Sequence, residues 1–581
     1  MGTARRALGN GWDAAGIGLR NRYRRWRKAR VDYVVLPVGG PLPERAGRPR
    51  GFFERRLPFP PDPLSLQQLN TRLGAIADAE NVRGVIFVFR GFSAGLATLQ
   101  NFRAAVARLR AAGKEAIVYT PFLDLAHYYA ATAADRIIVP PGAQFEVLGL
   151  YTEVTFLKDA LARIGVQADV VQISPFKTAF DRFSQADISP EYRAQLDWLL
   201  DDQYDMITAG MADGRRMSQD EIKAQIDRGG LTAAAARDAG LVDDVAYDDE
   251  LAQVLPSQAA GPGQSTTEPV TLKPWRAARR LLLEKHRRRS RLFVGVIALE
   301  GLIAQGTSRR PPIDLPIPFI GGATAGDQTL VGLLRRVERL EDMAALVIHV
   351  DSGGGSALAS DLIGRQIELL AAKKPVVVYM GNVAASGGYY VAAAARHIMS
   401  QAGTTTGSIG VITAKISTAG LYDQFSINRV RLQRGEHAGL YRNSEPLSQE
   451  DRALLFRSID DIYERFKSVV ARGRGLPVEA VDAIGGGRVW TGRQALERRL
   501  VDSHGDFLEA IKKAAELAAL PVDDVYAVNT VDVFPRHSDY TVYPNGAKAA
   551  LEEVADLLAG EQLQEISGRP LLLLPYELRF R

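Results

Sequence analysis

The sequence predicts an α/β fold in which one unit of roughly 220 residues occurs twice in tandem. Two pairs of segments repeat with a constant offset of 261 positions: 84–95 matches 345–356, and 123–139 matches 384–400. Within each copy, short runs rich in β-branched residues alternate with longer amphipathic segments. This alternation is typical of βαβ units on a largely parallel sheet.

Elements of the second copy illustrate the pattern. We expect a strand at 345–350, a helix at 358–372, a second strand at 375–380 and a helix at 386–395. The loops 351–356 and 381–388 follow the two strands at their carboxyl ends. Ligands of parallel sheets bind at that end, so these loops are the first places to look for chemistry.

Composition excludes several classes of protein. The chain has 581 residues, of which 46% are hydrophobic, so it can bury large cores. It contains no Cys, which removes disulfides, thiolate zinc sites and cysteine nucleophiles. Its 7 His are scattered and form no HExxH motif. We therefore expect no metal and no other cofactor.

The distribution of charge and of Pro, Gly, Ser and Thr divides the chain into candidate domains. Two basic segments, 1–30 and 273–291, each carry nine Lys or Arg against one acid, whereas the whole chain is only +5. Residues in the Pro/Gly/Ser/Thr-rich stretch 255–270 resemble a linker. We expect the following domains: a basic arm (1–30), a first repeat (31–254), a linker with a basic segment (255–291), a second repeat (292–522) and a tail (523–581).

The basic arm has apolar Trp12, Leu19, Tyr23 and Trp26 at helical spacing among arginines. Such a helix favours peripheral docking on an anionic membrane, although a solvated helix face or a subunit contact would give the same pattern. No run of 18 apolar residues and no apolar leader core occurs, so we expect no transmembrane helix. Nucleic-acid binding is not expected, because no recognised motif accompanies the charge.

Polar residues present in one copy only are the candidates for function. Ser386, in Ala-Ser-Gly-Gly at a predicted strand-to-helix corner, corresponds to Leu125 in the first copy. A serine there exposes its hydroxyl at a helix N-terminus, where free N–H groups favour a developing anion. The alternative is an ordinary turn or N-cap serine.

A glycine-rich loop precedes it. Gly353–Gly355 replaces Phe92–Ala94 of the first copy, and glycines let backbone N–H groups turn towards a carbonyl. The loop is either an oxyanion hole with a strand that pairs with peptide, or a plain turn. A phosphate loop is disfavoured because no Gly-Lys-Ser/Thr follows.

A serine nucleophile needs a base. The histidines of the second copy lack a clear carboxylate partner, so a Ser-His-Asp triad is disfavoured. Lys177 of the first copy lies among apolar neighbours and corresponds to Ala438. Burial would keep its amine neutral and able to accept the serine proton; the alternative is a surface lysine. Ser408, which corresponds to Val147, could orient the amine or be a turn serine.

These motifs in combination resemble the signal peptide peptidase A family, serine–lysine peptidases on a Clp-protease/crotonase-like fold. The resemblance is carried by Asp351-Ser-Gly-Gly-Gly-Ser356, Ala-Ala-Ser386-Gly-Gly-Tyr and Thr406-Gly-Ser-Ile-Gly, and it covers roughly residues 31–520 of this chain. The duplicated architecture is similar to the long form of the family. By this resemblance Ser386 is the nucleophile, Lys177 the general base and Ser408 the residue that orients the lysine. It also implies oxyanion donors at Gly354 and Gly387.

The same resemblance implies a substrate-strand loop at Gly355 and Ser356, and a homotetramer. Two features depart from the family pattern. Gly353 stands where the family has proline, and the membrane anchor of the long form is missing from the first residues. We therefore expect a bacterial protein that is either peripheral to a membrane or cytoplasmic.

The sequence thus predicts a serine endopeptidase that cleaves short or unfolded peptides, signal-peptide remnants among them, through an acyl-enzyme. Two other functions remain open at this point. A crotonase-like enzyme acting on acyl-CoA would use oxyanion glycines without a Ser/Lys pair. A non-catalytic scaffold at the membrane surface would need neither.

Overall fold

The structure is a computed structural model that describes residues 2–26, 30–47, 62–255, 269–287, 290–309, 322–535 and 570–573. The described residues fold into two compact units. Unit one takes its residues from Met1–Tyr151 and Gln203–Ser290, and unit two takes its residues from Thr152–Asp202 and Arg291–Leu578. A segment that belongs to the first sequence repeat, 152–202, therefore folds with unit two.

Strands and helices alternate along most of the described chain. The strands are β1 (Tyr33–Pro41), β2 (Gly84–Ser93), β3 (Glu115–Tyr119), β4 (Phe122–Leu123), β5 (Arg136–Val139), β6 (Gln144–Phe145), β7 (Gln167–Gln172), β8 (Leu231–Thr232), β9 (Asp244–Val245), β10 (Leu272–Pro274), β11 (Phe293–Glu300), β12 (Leu302–Ala304), β13 (Thr324–Gly326), β14 (Met343–Ser352), β15 (Gly354–Ser356), β16 (Val376–Ala385), β17 (His397–Ser400), β18 (Thr405–Gly407), β19 (Ile412–Ser417), β20 (Val489–Thr491), β21 (Ser503–His504), β22 (Thr530–Asp532) and β23 (Leu571–Leu573). The helices are α1 (Gly2–Trp26), α2 (Leu66–Asp78), α3 (Leu96–Ala111), α4 (Leu125–Ala131), α5 (Lys158–Arg163), α6 (Asp181–Ser184), α7 (Pro190–Arg215), α8 (Gln219–Arg228), α9 (Ala233–Asp238), α10 (Leu251–Val254), α11 (Trp275–Ala278), α12 (Asp327–Glu338), α13 (Ala357–Ala371), α14 (Gly387–Ala392), α15 (Ala419–Gln424), α16 (Gln449–Arg474), α17 (Val478–Ile484), α18 (Gly492–Glu497) and α19 (Phe507–Leu517).

Unit one is built on a parallel sheet with the strand order β10-β1-β2-β3-β5-β9. Its central strands are buried on both faces, as Val/Ile-rich parallel strands are when helices cover a sheet. Strands β4, β6 and β8 form a small separate sheet.

Unit two contains the equivalent parallel series in the order β22-β11-β14-β16-β17-β21, with β18 and the antiparallel β20 extending from β16. Each strand in this series has its counterpart in the sheet of unit one. The duplicated α/β architecture predicted from the sequence is thus visible in the topology. The predicted elements of the second copy correspond to β14, α13, β16 and α14, with both strands longer than expected.

A second sheet of unit two joins both sequence repeats. Its order is β13-β12-β15-β23-β19-β7. Strand β7 comes from the first repeat and pairs antiparallel with β19 of the second, with Gln172 opposite Ile412. This pairing explains why 152–202 folds with unit two, and it carries the residues that follow β7 into that unit.

Some predicted features lie outside the described residues. They are most of the linker (256–268) and the tail apart from 523–535 and 570–573. The predicted domain boundaries therefore stay a prediction. None of the described helices is long and apolar enough to cross a membrane.

Candidate active site

Ser386 occupies the sharp turn between β16 and α14. Its backbone has φ 55° and ψ −114°, a conformation that costs a non-glycine residue about 1–3 kcal/mol and persists only where neighbours hold it. Its N–H donates to the carbonyl of Gly407 at 2.7 Å, and its carbonyl accepts from Tyr390 N–H at 2.8 Å. The side chain makes no N-cap hydrogen bond and is fully buried. Ser386 thus stands at the N-cap position of α14 without capping the helix through its side chain.

Lys177 reaches the same point from the segment that follows β7. Its backbone N–H donates to Ser174 at 3.0 Å, and its side chain is 0% exposed, so it is not a surface lysine. The Lys177 Nζ lies 2.7 Å from the Ser386 Oγ. Two residues 209 positions apart in the chain are thus in hydrogen-bond contact within unit two.

Ser408 completes the contacts of the amine. Lys177 Nζ lies 2.8 Å from Ser408 Oγ and 2.9 Å from the Ser408 carbonyl oxygen. The Ser408 hydroxyl donates to the carbonyl of Leu573 at 3.3 Å. The hydroxyl oxygen of Ser408 therefore accepts one N–H of the lysine amine, and the carbonyl oxygen of Ser408 accepts a second N–H. The lone pair of a neutral amine is left to face the Ser386 hydroxyl.

Burial sets the protonation of this lysine. Desolvation lowers the pKa of the Lys177 amine well below its usual value, because the charged form loses its hydration in the apolar interior. Its hydrogen-bond partners are uncharged oxygens, which offset little of that penalty. The environment therefore favours the neutral amine, the form that can accept a proton.

The glycine loop lies against the turn of Ser386. A Cβ on Gly354, which has φ +104°, would lie 1.9 Å from the carbonyl of Leu572 and 2.7 Å from the Gly387 nitrogen. Glycine is therefore required here by close approach as well as by conformation. The Gly354 N–H donates to Ser352 Oγ at 3.1 Å, so in this state that amide is already in use.

The other predicted loop residues have identifiable positions. Gly355 pairs with Ile303 of β12 on one side and with Leu572 of β23 on the other. Ser356 is the N-cap of α13, where its hydroxyl accepts from Ala359 N–H at 3.3 Å. Gly355 thus lines a groove that holds an extended strand, whereas the Ser356 side chain begins a helix.

Two histidines of the second copy, His349 and His397, have other partners than Ser386. His349 is buried in β14 with its ring stacked on Tyr379 at 5.7 Å. His397 Nε2 contacts the Ser503 hydroxyl at 2.9 Å. The hydroxyl of Ser386 has a lysine, not an imidazole, as its partner.

Three contributors to the site were not foreseen from the sequence. Ser352 holds the glycine loop by donating to the Gly301 carbonyl at 2.6 Å. Gly487 packs so closely that a Cβ there would lie 2.7 Å from Lys177 Cα. Leu573 supplies the carbonyl that fixes the polarity of Ser408. Pairs of residues this far apart in the chain leave no local sequence signal, although Ser352 lies in a motif that the sequence singled out.

Comparison with known proteins shows which family the chain belongs to. Residues 108–260 and 368–521 each match Peptidase family S49. The chain belongs to that family. The two matches confirm the duplication. Together with the relatives described next, the family shows that this S49 chain is a serine peptidase.

Two relatives of this S49 peptidase span most of its length. "Serine protease SPPA, chloroplastic" from Arabidopsis thaliana is 32% identical over 461 residues, covering 79% of this chain and 67% of the relative. "Protease 4" from Haemophilus influenzae is 27% identical over 456 residues, covering 76% and 72%. Among solved structures, a ClpP1 mutant from Listeria monocytogenes matches 37% of this chain and 94% of its own, with 16% identity and a TM-score of 0.23.

Proposed function

We propose that this serine peptidase works with a Ser/Lys dyad in which Ser386 is the nucleophile and Lys177 the general base. The observation that carries the proposal is the 2.7 Å contact between Lys177 Nζ and Ser386 Oγ in a position where the amine is fully buried. A buried, neutral amine is the form that activates a serine hydroxyl. The strained backbone of Ser386 is a second support, because such conformations concentrate at active sites.

Acylation begins with transfer of the Ser386 proton to Lys177. The Ser386 Oγ attacks the scissile carbonyl carbon, and the carbonyl oxygen becomes a tetrahedral oxyanion. A general base of this kind contributes roughly 10²–10⁴-fold to the rate. Lys177 then returns the proton to the leaving amine, so that the peptide C–N bond breaks and an ester to Ser386 remains.

Deacylation reverses these roles with water. Lys177 takes a proton from a water molecule, the hydroxide attacks the ester, and Ser386 recovers its proton as the carboxylate product leaves. Ser408 holds the amine through both of its oxygens, so we propose that it orients the lone pair of Lys177 towards Ser386 in each half of the reaction.

The oxyanion needs backbone donors. We propose Gly387 N–H, which lies at the start of α14 immediately after the nucleophile, and Gly354 N–H as its partner. Because Gly354 N–H donates to Ser352 Oγ in this state, its part in catalysis requires that this hydrogen bond be released. A single oxyanion donor is worth roughly 10²–10³-fold in rate.

The substrates we propose are short or unfolded peptides, including remnants of signal peptides. Strand β15 beside the nucleophile pairs with an extended strand through backbone groups, which a folded protein cannot supply without unfolding locally. Backbone pairing gives affinity with little demand on sequence. We propose that Gly355 is the residue around which the substrate strand pairs.

The dyad is tested by substituting each member beside a matched control. Ser386→Ala and Lys177→Met should each abolish cleavage of an unstructured fluorogenic peptide and labelling by a fluorophosphonate probe. Ser400→Ala is the control, because Ser400 is equally buried in unit two and its hydroxyl has no partner among the described residues. Wild-type turnover in a folded Ser386→Ala or Lys177→Met variant would refute the assignment.

A membrane-surface role of helix α1 is a second proposal. Leu19, Tyr23 and Trp26 are 71%, 56% and 76% exposed, while Arg20 and Arg24 of the same helix pair with Glu284 at 3.0 Å and 2.8 Å. These three apolar side chains therefore face outward, as those of an interfacial helix do. Co-sedimentation with anionic and neutral vesicles, with and without residues 1–30, tests it; equal pelleting of both forms would contradict it.

Assembly is a further proposal that rests on the family resemblance. We propose a homotetramer, and expect light scattering of the purified chain to give about four times the 63.3 kDa mass of one chain. A monomeric mass at micromolar concentration would contradict it.

A further inference from the structure

The glycine loop and the turn of Ser386 follow two neighbouring parallel strands of unit two, β14 and β16. The register between these strands is irregular near their carboxyl ends, where Asp351 of β14 stands against residues 381–383 of β16. The pairs on either side of the irregularity are Val350 with Met380 and Ser352 with Ala384. Because extra residues in a strand interrupt the ladder, the backbone groups at this point need other partners.

The carboxylate of Asp351 bridges the interruption. Its Oδ1 accepts the backbone N–H of Val383 at 3.0 Å. Its Oδ2 lies over Gly381, where an added Cβ would come within 3.0 Å of that oxygen. Glycine at position 381 therefore leaves the room that the carboxylate occupies. A side-chain hydrogen bond thus joins β14 to β16 where regular backbone pairing is interrupted.

The same residue is held on its other side by backbone groups. The Asp351 carbonyl accepts from Gly301 N–H at 3.0 Å, directly after β11. Gly354, a proposed oxyanion donor, follows Asp351 by three positions, and Ser386 follows Val383 by three. The hydrogen bond between Asp351 and Val383 therefore lies at the start of both segments that the reaction has to bring together.

The first copy satisfies the equivalent amide in another way. At the offset of 261 positions, Phe122 corresponds to Val383, Thr120 to Gly381 and Arg90 to Asp351. The N–H of Phe122 donates to Thr120 Oγ1 at 3.3 Å, which is a bond within one short segment, and Arg90 is exposed. The carboxylate that joins two strands thus occurs in the copy that has the candidate nucleophile.

We propose that Asp351 is a positioning residue of the peptidase reaction, because its hydrogen bond to Val383 fixes the distance between Gly354 N–H and the Ser386 hydroxyl. The inference rests on the Ser386/Lys177 dyad and the oxyanion donors proposed above. A bound peptide pairs with β15, which is also held by β12. Only the transition state needs the nucleophile and the oxyanion donor at one carbonyl group at the same time. Loss of the bond therefore lowers kcat and leaves KM nearly unchanged.

The test is peptide kinetics with two substitutions of Asp351. Asp351→Ala removes the acceptor, and we expect kcat to fall roughly 10- to 100-fold with KM within about twofold of the wild type, because small displacements of catalytic groups are costly. Asp351→Asn keeps an oxygen acceptor and should return kcat to within about threefold of the wild type. A peptide aldehyde, whose adduct with a serine is tetrahedral, should bind Asp351→Ala more weakly by the same factor as kcat falls.

Asp506→Ala is the matched control. The Asp506 carboxylate is also buried in unit two, and it also accepts a backbone N–H, that of Glu509 at 3.0 Å. That bond caps α19. We expect its loss to lower stability in urea unfolding and to leave kcat and aldehyde binding at their wild-type values. A fall in kcat that came from general loosening of unit two would appear in both variants.

A second variant covers misfolding of Asp351→Ala. Gly381→Ala leaves the carboxylate in place but adds a Cβ 3.0 Å from Asp351 Oδ2 and 2.9 Å from His349 Nε2. Since both contacts are too short for a real Cβ, the carboxylate has to shift from its position over residue 381. We expect kcat to fall roughly three- to tenfold, again with KM unchanged.

Failure of this inference differs from failure of the dyad. Wild-type kcat in folded Asp351→Ala and Gly381→Ala, with cleavage still abolished by Ser386→Ala, would overturn the role of Asp351 and leave the dyad standing. A change in KM alone, equal losses of kcat in Asp351→Ala and Asp506→Ala, or no recovery in Asp351→Asn would overturn it as well. Cleavage that survives Ser386→Ala would refute the dyad and this inference with it.

Discussion

Substitution of Gly487 tests whether the position of Lys177 is set by close packing. Gly487 has φ +86°, and a Cβ at this residue would lie 2.7 Å from both Cα and Cβ of Lys177 and 2.8 Å from its nitrogen. Ordinary contacts of a Cβ begin at 3.4 Å. Gly487→Ala therefore requires the backbone of Lys177 to move by roughly 0.7 Å.

The consequence for catalysis is larger than the consequence for folding. A displacement of about 1 Å in a catalytic group can cost roughly 10²-fold in rate, so we expect kcat/KM to fall by one to two orders of magnitude. The positive φ adds a strain of about 1–2 kcal/mol to the folded state. Peptide kinetics give the first quantity, and urea unfolding gives the second.

Gly435→Ala separates the two effects. Gly435 has φ +90°, close to that of Gly487, but a Cβ there would meet nothing within 4 Å. We expect this variant to lose similar stability from strain and to keep wild-type kcat/KM. If Gly487→Ala, shown to be folded, keeps wild-type kcat/KM, or if both variants lose activity equally, the argument from packing fails.

Three other predictions concern the charge and the partners of the lysine. Because only the neutral amine of Lys177 is a base, and burial lowers its pKa, kcat/KM should fall about tenfold for each pH unit below that lowered pKa; a flat acidic limb would contradict this. The unfolded state binds one more proton than the native state between that pKa and the usual value of 10.5, so wild-type stability should rise with pH by up to about 1.4 kcal/mol per unit across that window. Lys177→Met, followed by urea unfolding at several pH values, should lack this rise, and an identical pH dependence in both proteins would argue against a buried amine. Ser408→Ala removes one hydrogen bond of the amine and leaves the Ser408 carbonyl, so we expect kcat to fall about five- to tenfold with KM unchanged; Ser400→Ala should change neither, and an effect of Ser408→Ala on KM alone would indicate a binding role instead.

The internal duplication explains why the candidate residues could be found from the sequence. Ser386, Lys177 and Ser408 each correspond to an apolar residue in the other copy. A comparison of the two copies therefore identifies them as polar residues that only one copy has. The structure brings all three within hydrogen-bond distance. The α/β class was equally accessible, because the alternation of strands and helices is a property of local sequence.

What the sequence could not predict depends on pairing between distant segments. The exchange of 152–202 into unit two follows from the register of β7 against β19, and short strands of this kind carry no periodic signal that names their partner. The leucine run near the C-terminus shows no alternation, so its insertion between β15 and β19 was not foreseen. The hydrogen bond from Gly354 N–H to Ser352 Oγ likewise could not be predicted, because it depends on the rotamer of the Ser352 side chain.

Strand β23 is synthesised long after the residues of the candidate dyad. The ribosome synthesises Lys177 first and Ser386 and Ser408 later. Leu573, the last residue of β23, follows Ser408 by 165 residues. At about 5–20 residues per second, that distance corresponds to roughly 8–33 s of translation. The sheet of unit two that contains β23 is therefore completed only at the end of synthesis, and until then a nascent chain holds β15 and β19 without the strand that pairs with both.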